Sequence, residues 1–348
     1  MRVKSKKLIS ALLVAVMTLT MAATTGCSSK SSASGKDGVY TFVYAGTVAD
    51  SHPMAIAMKE AAEAMEAASD GRLIMKVYTN NTLGDSRSNI EQMQVNGTIK
   101  MGEVGSAALS SFTDIFKPLQ LPFLFTSKEQ AFEFFDSKEG MKLDDQSAEE
   151  VGVRPLAWFY NDSRTLTNSK HPIETPDDMK GLKIRVQESD LYLKTFTTLG
   201  SSPIAMSFAE VFTGLQQGTI DGQDNGVALT VSQKFNEVQS YYTDLHHVID
   251  MAPILVSEEW YQSLPEDLQK ILKEEMEQAA TRERQLMDEY YEDYMAEIEK
   301  TSEITYLTDD QRLAFRDACS SVYDWFYNKY PELNAEELVD YVTNMDTK

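Results

Sequence analysis

The chain has 348 residues, and 54 Asp and Glu against 32 Lys and Arg give a formal net charge of −22. A surface this acidic repels the phosphates of nucleic acid and the headgroups of anionic lipid, so neither is expected as a binding partner. The length suffices for two domains with full apolar cores.

At the start, Arg2, Lys4, Lys6 and Lys7 form a basic head before the apolar stretch Leu8–Ala23. A basic head, an apolar run of this length and a small-residue exit predict a secretory signal peptide over residues 1–26. The run is marginal for a membrane span, and no later segment approaches ~18 uninterrupted apolar residues. Thr24-Thr25-Gly26-Cys27, followed by Ser, Lys, Ala and Gly, resembles a lipoprotein processing site. Cys27 would then be the lipidated N-terminus and residues 27–38 a flexible tether. Thr24 stands where such sites usually carry Leu, and ordinary secretion with Cys27 incidental is the alternative. Removal of residues 1–26 takes the net charge from −22 to −26. With Cys27 acylated no disulfide can form, and Cys319, beside Ala318 and Val322 on a helical pattern, reads as a plain buried residue.

Beyond the tether the pattern alternates strand and helix. Val39–Ala45 predicts a strand, Pro53–Ala68 an Ala- and Met-rich helix closed by Ser69-Asp70-Gly71, and Leu73–Tyr78 a strand. Ser86–Asn96 predicts a helix stopped by Gly97, Thr98–Val104 a strand, and a further helix starts near Ser127. Such βαβ succession implies a parallel or mixed sheet with covering helices. A second such segment follows, with strands over Val153–Tyr160 and Leu182–Val186. Between them Thr175-Pro176-Asp177-Asp178 opens a short helix that Gly181 ends. Ser207 and Glu210 have capping-box spacing, and Gly218 ends that helix. Glu266 to Lys300 is almost wholly helix-forming and charged. The last helices start near Thr308 and Asn334.

Catalytic signatures are missing: there is no nucleophile elbow, no glycine-rich phosphate loop and no H-E-x-x-H. His246 and His247 would point to opposite faces of a strand, so joint metal ligation is not expected. Asp221–Ser232 fails as a calcium loop, with Gln223 at its third position and Ser232 at its twelfth. No cofactor is expected. What stands out is Arg185, closing the otherwise apolar strand Gly181-Leu182-Lys183-Ile184-Arg185-Val186. A buried cation needs an anionic partner, and the guanidinium fork suits a carboxylate. That carboxylate is either an internal Asp or Glu or one carried by a ligand. Arg164, just after the strand ending at Tyr160, raises the same choice.

Several segments resemble the solute receptors of tripartite ATP-independent periplasmic (TRAP) transporters. They are Gly181–Val186, Pro203-Ile204-Ala205-Met206-Ser207-Phe208-Ala209-Glu210-Val211-Phe212 and Gly214-Leu215-Gln216-Gln217-Gly218-Thr219-Ile220-Asp221-Gly222-Gln223. Leu83-Gly84-Asp85 with Arg87, Leu121–Phe125, Phe235–Gln239 and Leu264–Gln269 follow the same pattern, in order, from about residue 39 onward. The resemblance implies a two-domain periplasmic-binding-protein-like α/β clamshell with mixed sheets and a long helix crossing both domains. Residues 39–162 with 251–290 would form domain I, and 163–250 with 291–348 domain II. It implies a monomer that closes on an organic acid by hinge motion, without catalysis, and serves a membrane permease. The protein would be exported and held by lipid on the outer face of the cytoplasmic membrane.

Residue by residue, the resemblance puts Arg185 on the carboxylate-gripping Arg, Asn225 on a ligand-contacting Asn and Phe208 on an aromatic against the ligand. Arg164 falls on a second Arg used for sugar acids. Gly226 departs from the Pro usual there, and Glu188 occupies a position often Asn or apolar. His52, Gln187, Glu188 and Asp224 offer partners for sugar hydroxyls, although His52 could simply pack beside Pro53. Ser106 and Glu103 lie near a strand end, where open α/β sheets meet ligands, and Arg87 is a further cation to consider. The nearest resemblance is to receptors for hexuronates (glucuronate, galacturonate) or diketogulonate. The alternatives are a receptor for a C4-dicarboxylate or sialic acid, a secreted lyase or hydrolase of uronate polymers, and a sensor module.

Cys27→Ala is expected to leave the protein folded but unacylated. Detergent-phase partitioning checks this, and partitioning like that of the wild type would mean that Thr24–Cys27 is not a lipidation site.

Overall fold

A computed structural model describes residues 38–345, so the expected signal peptide, Cys27 and nearly all of the tether lie outside the described residues. The strands are β1 (Tyr40–Ala45), β2 (Leu73–Tyr78), β3 (Ile99–Glu103), β4 (Val153–Ser163), β5 (Thr165–Asn168), β6 (Ile184–Val186), β7 (Ile204–Ala205), β8 (Gly222–Asn225), β9 (Tyr241–Thr243), β10 (Ile249–Ser257) and β11 (Glu303–Thr305). They form two mixed sheets, ordered β2-β1-β3-β10-β4 and β11-β9-β5-β8-β6-β7. Each sheet with its helices makes a lobe.

In the first lobe β1 is parallel to β2 and β3, while β10 runs antiparallel to both β3 and β4. The helix Pro53–Ala68 covers this sheet and buries Met54, Met58, Ala61 and Met65. That spacing is a helical stripe, and it packs on a core with Phe42, Leu73, Met101 and Ile254. The helix Glu266–Glu299 is 34 residues long, about 50 Å at the α-helical rise. It packs on Pro53–Ala68 and β4 of the first lobe, and on the helix Val227–Ser232 and β11 of the second. Among the described residues no helix is long and apolar enough to cross a membrane.

The chain passes between the sheets three times, at two adjacent points and again along the helix Glu266–Glu299, which leads from β10 to β11. Arg164 separates β4 from β5, and residues 244–248 separate β9 from β10. The two crossings are hydrogen-bonded: Arg164 N donates to Val248 O at 2.7 Å, and His247 N donates to Arg164 O at 3.3 Å.

Local chemistry explains most boundaries. Gly218 closes the helix Val211–Gln217 at φ 69°, a conformation that favours glycine, and Thr308 with Gln311 forms a complete capping box. Two expectations fail. Ser207 makes no cap bond, because Phe208–Glu210 is a single 3-10 turn and the α-helix starts only at Val211. His246 and His247 lie in the second crossing and not in a strand, with His246 at φ 55°. Cys319 is buried, as expected.

Gly226 follows β8 where Asp162 arrives from β4. Asp162 has φ 78°, and its Oδ2 accepts from Ala228 N at 3.2 Å. A β-carbon on Gly226 would lie 2.1 Å from Asp162 Cβ, so this carboxylate occupies the space a side chain would need. Gly226→Ala is expected to destabilise the fold by about 1–3 kcal/mol, the usual range for overpacking a filled interior, measured by urea denaturation.

Candidate ligand-binding site

A cleft of about 130 Å³ opens between the lobes. The first lobe lines it with Thr47, Asn81, Arg87, Glu103 and Asn161, and the second with Arg185, Gln187, Glu188, Phe208 and Asn225. Most of these stand at or just beyond strand ends, where open α/β sheets gather ligand contacts.

Arg185 is the chemical centre. It lies in β6 and is only 3% exposed. Its Nε and one terminal nitrogen donate to Met206 O at 3.0 and 2.8 Å, while Nη1 is buried with no partner among the described residues. No Asp or Glu among the described residues forms an ion pair with it, so the internal salt bridge left open by the sequence is not made. Burial lowers its pKa to about 10, with Asp224 opposing and Arg164 adding to the fall. Arg185 therefore stays charged at neutral pH with a donor unspent. Phe208 stands beside it, its ring centroid 5.9 Å from the guanidinium carbon.

Across the cleft, Glu103 is buried and accepts from Thr47 N at 2.9 Å and Thr47 Oγ1 at 2.8 Å. Burial raises its pKa, although the bonds from Thr47 pull the other way. The cleft is thus polarised, with a buried cation on one wall and a carboxylate on the other. Arg87 is exposed at the rim, with Nε 3.2 Å from Glu91 and its guanidinium over Phe112. Glu188 is also exposed and Gln187 half-buried.

Four of the expected site residues do not line the cleft. Arg164 is fully buried and donates to Asp224 Oδ2 at 2.8 Å, to Asp250 Oδ2 at 2.7 Å and to Asn225 Oδ1 at 3.3 Å. Burial alone would lower its pKa, but Asp224, Tyr192 and Asp250 outweigh it and the value is raised. Its charge is thus paired internally, and it does not line the cleft. Asp224 likewise turns its Oδ2 to Arg164, with His247 Nε2 3.4 Å from the same oxygen; burial raises its pKa, and Arg164 and His247 together more than reverse that. Ser106 Oγ donates to Asp250 Oδ1 at 2.7 Å. His52 is buried, and its Nδ1 caps Pro53–Ala68 by accepting from Met54 N at 3.2 Å.

Sequence reasoning missed Thr47, Asn81, Asn161 and Asp250. Only Asp250 carried a signal, as a carboxylate inside the apolar run Val248–Val256. The others are single polar residues in loops or mid-strand.

Two lobes of mixed sheet, linked by paired crossings and holding an unpaired buried cation in the cleft, define a two-lobed solute-binding protein. Residues 44–330 match the family described as bacterial extracellular solute-binding protein, family 7, and the chain belongs to it, among the solute receptors of TRAP transporters. It is 32% identical over 278 residues to the 2,3-diketo-L-gulonate-binding periplasmic protein of Escherichia coli K12, covering 80% of this chain and 84% of that protein. Among solved structures, the sugar acid binding protein of Advenella mimigardefordensis in complex with galactonate is similar with TM-score 0.84 and 27% identity, over 88% of this chain and 98% of that one. A TRAP periplasmic solute binding protein of Chromohalobacter salexigens with bound D-glucuronate is similar with TM-score 0.82 and 29% identity, over 86% and 98%.

Burial lowers the His52 pKa to about 3, against about 6.5 for an unfolded chain. As pH falls through that window the unfolded state takes up a proton that the folded state refuses. The stability His52 confers is therefore full above the unfolded value and lost on acidification. His52→Asn keeps an N-cap acceptor. Between about pH 7 and about pH 5 it is expected to lose about 2 kcal/mol less stability than the wild type, measured by urea denaturation.

Proposed function

We propose that this receptor binds a hexuronate, such as glucuronate or galacturonate, with Arg185 pairing the carboxylate. The observation that carries the reading is the buried guanidinium with an unspent donor and no internal acid. Glu103, Asn161, Gln187 and Asn225 supply acceptors and donors for hydroxyls, and Phe208 an apolar surface for one face of the sugar ring. The glucuronate-bound and galactonate-bound relatives, and the diketogulonate receptor, support a polyhydroxy acid. A C4-dicarboxylate fits less well, because its second carboxylate would face Glu103 with only the rim residue Arg87 to meet it. The ligand is handed unchanged to a TRAP permease, by a monomer tethered through Cys27.

A thermal-shift screen of organic and sugar acids is the first test, since a ligand that binds only the folded state raises its melting temperature. Arg185→Lys keeps the charge but loses the two-pronged geometry. Hydrogen bonds to charged groups contribute about 1.5–3 kcal/mol each, so glucuronate affinity by calorimetry is expected to fall about tenfold to a hundredfold. Arg185→Ala is expected to do worse. Unchanged affinity in Arg185→Ala would move the carboxylate site elsewhere, and turnover of oligouronides would make the protein an enzyme.

A further inference from the structure

Asp250 sits where the pairing of β10 with β4 slips, between Ile249 opposite Ser163 and Met251 opposite Tyr160. A bulge of this kind re-aims a side chain out of the regular alternation. The carboxylate is 2% exposed and does not itself line the cleft. Its Oδ1 accepts from Ser106 Oγ at 2.7 Å. Its Oδ2 accepts from Arg164 Nη1 at 2.7 Å, Asn161 Nδ2 at 2.9 Å and Gln187 Nε2 at 3.4 Å. Ser106 and Asn161 belong to the first lobe, Gln187 to the second, and Arg164 to the crossing. Both Asn161 and Gln187 face the cleft.

We propose that Asp250 is a positioning residue for the ligand site, holding Asn161 and Gln187 at a fixed distance across the cleft and latching the lobes through Gln187. The proposal rests on the cleft being a receptor site, but the latch does not depend on which acid is bound. The distances say which contact yields. A carboxylate oxygen offers about two lone-pair sites, and the two nearer donors fill them. Gln187 is the third donor, the most distant, and the only one of Asp250's partners that stands on the far side of both crossings. The other end of its amide also lies close to the first lobe, within 3.2 Å of where a β-carbon on Gly105 would stand. Among Asp250's own bonds, opening the lobes therefore breaks the weak one to Gln187 and leaves those to Arg164, Asn161 and Ser106 intact.

Gln187→Leu removes the donor at similar size, and Gln187→Glu sets a carboxylate against Asp250. In ligand-free protein both are expected to raise the radius of gyration from small-angle X-ray scattering, Gln187→Glu more, with melting temperatures within about 2 °C of wild type. Calorimetry with D-glucuronate is expected to show an affinity loss of about twofold to tenfold for Gln187→Leu. An unchanged radius in both variants overturns the latch. So does a fall in melting temperature beyond about 5 °C, which would make Gln187 a structural residue. A changed radius in a protein that does not bind glucuronate upholds the latch and counts only against the hexuronate reading.

Discussion

Arg164 has no exposure, so its charge must be balanced entirely inside the protein. Asp224 on β8 and Asp250 on β10 balance it, one from each sheet, at the residue where the chain leaves the first sheet for the second. Removing one member of a buried pair typically destabilises by about 3–5 kcal/mol, because the remaining charge is left uncompensated. The three side chains therefore act as one pin through both lobes. The backbone bonds between the two crossings hold that pin in line with both strands of the passage.

The rest of the site inherits its geometry from the pin. Arg164 and Asp250 between them hold Asn225, Asn161 and Gln187, three of the neutral groups of the cleft wall. Electrostatically the pin also acts on Arg185. Burial does most to disfavour its charge, Asp224 opposes that, and Arg164 lies near enough to add to the fall. Arg185 is therefore a cation kept charged without a carboxylate of its own. Its Nη1 is buried and still has protons to share, which is what the proposed pairing with a ligand carboxylate would use.

Much of the fold was legible because it is local. The helix Pro53–Ala68 and the strand β2 match their expected limits, since a Pro at the first turn, a Met and Ala stripe and a Ser-Asp-Gly stop all act within a few residues. Arg185 was legible as a cation in apolar company. Arg164 carried the same signal but has internal partners. The deciding fact was the identity of its partners, which lie 60 and 86 residues away along the chain, and no local pattern reports that. His52 failed for a different reason: a His before a Pro can cap a helix or face a ligand, and only the packing of the turn chooses. At Ser207 the spacing of a capping box was present, but a 3-10 turn used the same residues first.

The place of β10 in the first sheet has a consequence for how the chain acquires its structure. β10 lies between β3 and β4 and pairs with both, yet it is made of residues 249–257, almost a hundred positions after β4 begins. Until that segment is available, β3 and β4 have no common neighbour, and the unpaired edges of a half-built sheet remain open. Contacts of such long sequence separation form slowly, because the loop must close before they stabilise anything. A chain emerging N-terminus first is consequently held short of its native state until about three-quarters of its length has appeared.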